Sequence, residues 1–270
     1  MSDAAWKVSG ASALGSYHAR DGRPNQDAFA WSPPGGSGTR IVAAVADGHG
    51  ASVHFRSDRG ARFAVERAVD VLGRHIDADD PPEEALPGTM VAAWRNAVHA
   101  DLRTDPLSVH GGRPGATLAP YGTTLIGMAA TAAELTLFQI GDGDLLLVYP
   151  DGRVTQPFSP DDGLVGEQTY SLCMDDAEAY ARTASFWRNG HGDWPLAVIL
   201  SSDGVSKSFR GDEAFRDAAR QLAAQAAGDW PVFQAELHQW LAAISHHGSG
   251  DDATLCLALA AEAKFNPGGT

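Results

Sequence analysis

An α+β fold is what this sequence predicts, on three observations. Short apolar runs such as Ile41-Val-Ala-Ala-Val-Ala46 and Leu196-Ala-Val-Ile-Leu200 stop at turn residues after five or six positions, a length that suits strands. Turn signals at Pro33-Pro-Gly-Gly-Ser-Gly38 and Pro150-Asp-Gly152 join such runs as hairpins. Amphipathic helices come in two pairs, one in the first half of the chain and one before the last strand.

Taken in order, the opening segment carries Val8, Leu14 and Tyr17 before a turn-rich stretch, and Phe29 and Trp31 then alternate with small residues. A strand there, paired with 41–46 through the Pro-Gly turn, brings Asp27 close to Asp47. From His54 onward Ala61, Val65, Ala68, Val69, Leu72 and Ile76 mark one helix face, which Asp77-Ala-Asp-Asp-Pro-Pro ends. Val91, Trp94, Val98 and Leu102 mark a second helix, and 108–120 reads as loop. Strands follow at Tyr121–Ala130, Leu135–Ile140 and Leu145–Tyr149, with Gly141-Asp142-Gly143-Asp144 as a tight connection of hairpin type. Residues 156–195 have mixed polarity and are expected to form a variable flap. After the strand at 196–200 come two helices, one marked by Phe215, Ala219, Leu222 and Ala226, the other by Phe233, Leu237, Trp240, Leu241 and Ile244. Leu255–Leu259 is the last strand, and Lys264–Thr270 is expected to fray. Trp94, Trp230 and Trp240 are expected in the core, and His246-His247 at a solvated helix end. No repeat or long linker divides the chain, so one domain over 1–270 is expected, with its core at about 8–260 and a tail at 261–270.

Bulk properties exclude several classes. The 270 residues carry a formal charge of -14 and no dense basic run, which argues against nucleic acid. Cys173 and Cys256 are the only cysteines and lie far apart, so neither a disulfide framework nor a cysteine zinc site is expected. No basic stretch followed by an apolar run stands after Met1, and no run approaches the roughly 20 apolar residues that span a bilayer. A soluble, cytoplasmic protein with no membrane partner is the expectation. Also missing are the Gly-x-Ser-x-Gly elbow, a phosphate-binding loop ending Gly-Lys-Ser/Thr and the His-Glu-x-x-His helix.

What remains is a recurrent device: Asp beside Gly where an apolar strand begins or ends. It occurs at Asp47, Asp142, Asp203 and Asp251, with Asp27 beside a further strand. One such Asp is a turn former. Five at strand ends in one fold are harder to attribute to turns. If the strands pack in sheets their ends can converge, and clustered carboxylates repel unless cations stand between them. Hard oxygen ligands without cysteine select Mg²⁺ or Mn²⁺. Two such ions bridged by carboxylates suit hydrolysis of a phosphoester, and they would make an acidic chain's site attractive to an anion.

Asp47-Gly-His-Gly50, Tyr121-Gly-Thr-Thr124, Gly141-Asp-Gly143, Ser202-Asp-Gly204 and Asp251-Asp-Ala-Thr254, in that order, resemble the motif series of the metal-dependent serine/threonine protein phosphatases of the 2C type. His18 and Gly22-Arg-Pro-Asn-Gln-Asp27-Ala resemble a bacterial branch of that family. The resemblance covers about 17 to 259. It implies a four-layer α-β-β-α sandwich, two antiparallel sheets face to face with helix pairs outside. It also implies that Asp47 bridges two Mg²⁺ or Mn²⁺ ions, that the Gly48 carbonyl binds one, that Asp203 and Asp251 hold the first and that Asp27 supports the second through water. Asp142 would share a weaker third site with Asp203. His49 would be the general acid for the leaving alkoxide, and a metal-activated water the nucleophile. Phosphorylated proteins are the implied substrates, with a cognate serine/threonine kinase as the implied counterpart.

The chain departs from the family pattern in three places. Gln26 stands where many relatives have Glu. Gly22 stands where an Arg grips the phosphate, leaving Arg23 as the first candidate and Arg20, Arg56 or Arg59 as substitutes. Gly143-Asp144 replaces Ser-Arg. Two other readings stay open at this point: a catalytically impaired, metal-containing domain that binds phosphoproteins or regulates, and a two-metal hydrolase of small phosphoesters.

Overall fold

A computed structural model describes residues 5–78, 82–107, 118–159, 169–188, 193–261 and 265. In chain order the elements are β1 (Trp6–Ala13), α1 (Ser16–Asp21), β2 (Ala28–Ser32), β3 (Ser37–Gly38), β4 (Ile41–Ala46), α2 (Ser57–Ala78) and α3 (Leu86–Thr104). There follow β5 (Leu125–Ala130), β6 (Glu134–Ile140), β7 (Asp144–Val148), β8 (Val154–Thr155), β9 (Arg182–Trp187) and β10 (Ala197–Ser201). Then come α4 (Asp203–Ser206), α5 (Asp212–Gly228), α6 (Trp230–His247) and β11 (Ala253–Ala260). Among the described residues the strands form a six-stranded sheet, β3-β1-β11-β10-β7-β8, and a five-stranded sheet, β2-β4-β5-β6-β9, with every strand pair antiparallel.

The apolar pattern of β4 explains why two sheets and two helix layers are needed. Its six residues are all buried. Ile41, Ala43 and Val45 share a core with Val198, Leu200, Cys256 and Ala258 of the other sheet, while Val42, Ala44 and Ala46 face the α2 layer of Val65 and Leu72, with Trp94 of α3 beyond it. A strand covered on both faces has no reason to alternate apolar with polar, hence the unbroken run. On the far side α5 and α6 pack Phe215, Leu222, Phe233, Leu237 and Leu241 on Ile199, Leu255 and Leu257. Burying three such layers of large side chains, each contributing about 1.5–3 kcal/mol, is what holds the sandwich together.

The expected hairpin is present: Ala28 pairs with Ala46 and Ser32 with Val42. Several expectations need correction. Gly141-Asp-Gly-Asp144 is not a hairpin turn, because β6 and β7 belong to different sheets, so the segment crosses from one to the other. The strand at 121–130 begins only at Leu125. Tyr121 ends a 3-10 turn, and Thr123 forms a single bridge to Gly48. Within 156–195 lies β9, an edge strand paired to β6 from Glu134–Trp187 to Gln139–Arg182, while 160–168 and 189–192 fall outside the described residues. The opening segment is a full strand, β1, paired with β11 along its whole length, followed by a short helix. Of the three core tryptophans only Trp94 is fully buried. Trp230 and Trp240 are half-buried, covering Phe233 and Phe209. The loop at 108–117 and most of the expected frayed tail fall outside the described residues, though Phe265 packs against the α5–α6 layer. No described helix is long and apolar enough to cross a membrane.

Candidate metal centre

Antiparallel pairing carries the acids to one edge of the sandwich. Since Ala28 faces Ala46, Asp27 immediately precedes β2 where Asp47 immediately follows β4. Ser201 ends β10 opposite Asp144, the first residue of β7, so Asp203 and the 142–144 crossing share that edge. Asp251 and Asp252 immediately precede β11, whose Leu255 pairs with Ser201.

The main chain of Asp47 is clamped on both sides. Thr124 N–H and the Thr123 hydroxyl donate to its carbonyl at 2.9 and 2.8 Å, and its own N–H donates to Thr124 Oγ1 at 3.2 Å. Gly48 N–H donates to Gln26 O at 3.1 Å, and His49 N–H to Gly122 O at 3.1 Å. Only glycine fits at position 48: a Cβ there would lie 2.5 Å from Gln26 O and 2.8 Å from Ser57 O. Gly204 is confined in the same way, its Cβ position 2.0 Å from Asp252 O. The short helix α4 is thereby pressed onto the loop that carries Asp251.

Behind these ligand candidates stands a buried acid that sequence reasoning left without a role. Asp252 is 3% exposed and accepts from Gly15 N–H and Gln26 N–H, each at 2.7 Å, with His18 Nδ1 at 2.8 Å. His18 Nε2 in turn lies 4.0 Å from Asp251 Oδ1. One carboxylate therefore ties α1, the Gln26–Asp27 segment and the end of β11 together. Ser202 Oγ donates to Asp27 Oδ2 at 2.7 Å and accepts from Thr254 N–H at 3.0 Å. The four hydroxyls Thr123, Thr124, Ser201 and Ser202 are buried, and three of them bond site backbone or carboxylate.

Electrostatics shows the acids facing one another. Burial pushes the Asp47 carboxyl well above the usual range, and the fields of Asp27, Asp203, Asp251 and Asp142 push it further. Asp27 is raised to about 8, by burial first and then by Asp252 and Asp203, against the lowering effect of Ser202. Asp144 rises to about 6 through burial, with Asp203, Asp142 and Asp212 adding to it. Every acid named in the sequence is thus within electrostatic reach of Asp47. Among the described residues no three of the Asp, Glu, His or Cys side chains already close around one point as a finished cage.

The donor set nonetheless fits a hard divalent cation. It is all oxygen, held at its backbone, and its mutual repulsion is of the kind a cation relieves. Gln26 Oε1 is buried without a hydrogen-bond partner, although Gln26 Nε2 donates to Ser57 Oγ at 2.6 Å, so an acceptor beside this loop is left over for a hydrated ion.

His49 and His54 meet edge to face with ring centroids 4.9 Å apart, and His54 is anchored on Ala119 O. Burial first and then the neighbouring His54 lower the His49 pKa to about 4, against a raising contribution from Asp142.

Of the four arginine candidates, two are committed elsewhere. Arg56 lies 2.6 Å from Tyr121 Oη and 3.1 Å from Asp105, and Arg59 lies 2.6 Å from Asp105 and 3.2 Å from Asp101. Arg20 covers the Tyr17 ring. Arg23 donates to Gly50 O at 3.0 Å, half-exposed at the rim of the Asp-Gly-His-Gly loop.

Lys207 was not anticipated. Its ammonium lies 2.5 Å from Asp203 Oδ2. Burial opposes its charge, but the Asp203 hydrogen bond and the fields of Asp203, Asp142 and Asp47 prevail and raise its pKa. The four-residue spacing from Asp203 was the available signal.

With this geometry in place, comparisons with known proteins are informative. The sequence pattern of the family described as Protein phosphatase 2C matches residues 14–242. No curated protein matches. Among solved structures, the catalytic domain of the serine/threonine protein phosphatase PstP in complex with two manganese ions is similar over 94% of this chain and 97% of that one, at 21% identity and TM-score 0.58. Serine/threonine phosphatase Stp1 from Staphylococcus aureus is similar over 93% and 94%, at 14% identity and TM-score 0.60. PppA of Pseudomonas aeruginosa, a regulatory component of its T6SS, is similar over 94% and 97%, at 18% identity and TM-score 0.57. The match spans most of the chain, and with the antiparallel sandwich it establishes that this chain belongs to the protein phosphatase 2C family of metal-dependent serine/threonine protein phosphatases.

Proposed function

We propose that the chain hydrolyses phosphoserine and phosphothreonine in proteins with two Mg²⁺ or Mn²⁺ ions, and that Asp47 and the Gly48 carbonyl, with Asp203 and Asp251, would hold them. Asp27 would bind through water, and Asp142 would complete a weaker third site. The observation that carries this reading is the convergence of Asp27, Asp142, Asp203 and Asp251 on Asp47, whose carboxyl they all disfavour as a bare anion. When bound, the ions supply an activated water and neutralise the phosphate oxygens.

The chain's own groups do the rest. The Thr123–Thr124 clamp holds Asp47 so that its carboxylate needs no reorganisation when the reaction begins. Arg23, on the rim, contacts the phosphate. His49 donates the proton that the serine or threonine alkoxide needs as it leaves. Its burial beside His54 keeps it neutral until an anion arrives, and a phosphate dianion alongside favours the protonated form.

The test is Mn²⁺-dependent release of phosphate from a phosphothreonine peptide. Release that stops on chelation and in Asp47→Asn is expected; equal rates with and without metal would overturn the assignment.

A further inference from the structure

The Asp203 side of the centre holds more acid than two ions would be asked to balance, since Asp142, Asp144 and Asp203 all lie there and Asp212 adds its field to Asp144. Asp144 Oδ2 is buried without a close hydrogen-bond partner, Gln156 reaches Asp144 Oδ1 only at 3.5 Å, and the Ser206 hydroxyl offsets only part of the burial of this carboxyl. Into this cluster the chain sends its own cation. Lys207 follows α4, its N–H closes on Asp203 O at 2.8 Å, and its ammonium sits on Asp203 Oδ2 at 2.5 Å, though the residue is otherwise exposed.

We propose that Lys207 is an intramolecular cation that takes the place of a third divalent ion on Asp203, so that the centre loads two ions where its acids would admit three. This rests on Asp47 and Asp203 being ligands of the proposed centre. An ammonium one turn from its carboxylate is present at unit effective stoichiometry, whereas a third ion must be drawn from solution and displace it. It neutralises one charge where a divalent ion would neutralise two, and it offers no open coordination position for water. Lys207 is therefore a positioning residue for Asp203, and it limits metal loading. Together with Asp144, Ser206, Asp212 and Arg216 it lines a cavity of about 230 Å³.

The experiment is a Mn²⁺ titration of the metal-free protein, read by calorimetry and by the resonance signal of free Mn²⁺, on wild type, Lys207→Met, Lys207→Arg and Asp47→Asn. Lys207 is exposed, so its variants are expected to stay folded, which circular dichroism checks. Lys207→Met should bind one more ion per chain, or hold its weakest ion about tenfold more tightly, since an opposite charge at contact distance shifts proton binding by a comparable factor. Lys207→Arg should match wild type. Superimposable isotherms for wild type and Lys207→Met would overturn the proposal, as would an unchanged isotherm with a raised KM for phosphopeptide, which would assign Lys207 to the phosphate. Failure of the underlying reading looks different: Asp47→Asn would then bind Mn²⁺ as wild type does.

Discussion

On one side of the centre Asp47 and Asp27 sit at the paired ends of β4 and β2, held by backbone amides and threonine and serine hydroxyls, with no side-chain cation against either carboxylate among the contacts described. On the other side Asp203 opens a four-residue helix and Asp144 opens β7, and Lys207 reaches back onto Asp203. The first side is rigid and electrostatically unrelieved, so burial lifts Asp27 to about 8 and Asp47 well above its usual range. The second is relieved in part by the chain itself. Repulsion left in a rigid place is strong affinity for an added cation, whereas repulsion already answered by a tethered ammonium is weak affinity.

The largest effect should follow from breaking the rigid side. Asp47→Asn should lower kcat/KM for a phosphothreonine peptide by about 10³-fold or more, an amount typical of removing one preorganised charge from a reacting centre. Asp142→Asn should cost no more than about tenfold, because Lys207 already stands where the weaker third ion would bind. Equal losses in the two variants would erase the distinction between the sides.

Next is the buried support that both sides share. Asp252→Ala leaves Gly15 N–H, Gln26 N–H and His18 without their acceptor, and should lower stability in urea by about 3 kcal/mol. An unchanged midpoint would mean that the three donors find water instead.

His49→Ala should lower kcat about 10²-fold on phosphothreonine peptide but only slightly on p-nitrophenyl phosphate, whose leaving group needs no proton. Similar losses on both substrates would assign His49 to binding rather than to proton donation. The smallest effects concern the rim. Arg23→Ala should raise KM about fivefold, as expected for one exposed charged contact to phosphate. Arg59→Ala, already paired with Asp101 and Asp105, should leave KM unchanged.

The strands with apolar faces on both sides, β4, β5, β10 and β11, could be read from composition and length, because a doubly covered strand carries a nearly unbroken apolar run, and β6 from its length and flanking turns although Thr136 and Gln139 interrupt its run. The four long helices could be read from their three- and four-residue spacing. β9 could not: Arg182-Thr-Ala-Ser-Phe-Trp187 lies at a sheet edge, is half-buried or exposed throughout, and owes its form to pairing with β6. β1 was equally hidden, since its small and polar residues gain strand conformation from β11 rather than from any preference of their own.

The sequence by itself determined which residue types stand at the strand ends, and with them the supply of oxygen donors at the Asp47-Gly-His-Gly stretch, because an apolar run followed by Asp-Gly is a local property. Only the tertiary structure decided which of those acids meet. It turned Gly141-Asp-Gly-Asp144 from an apparent hairpin into a crossing between sheets, committed Arg56 and Arg59 to Asp101 and Asp105, set Asp252 and His18 beneath the site, and laid Lys207 on Asp203. The physical reason is range. Turn and strand propensities act over a few residues, whereas repulsion between carboxylates and the cation that answers it depend on distances that the pairing of remote strands sets.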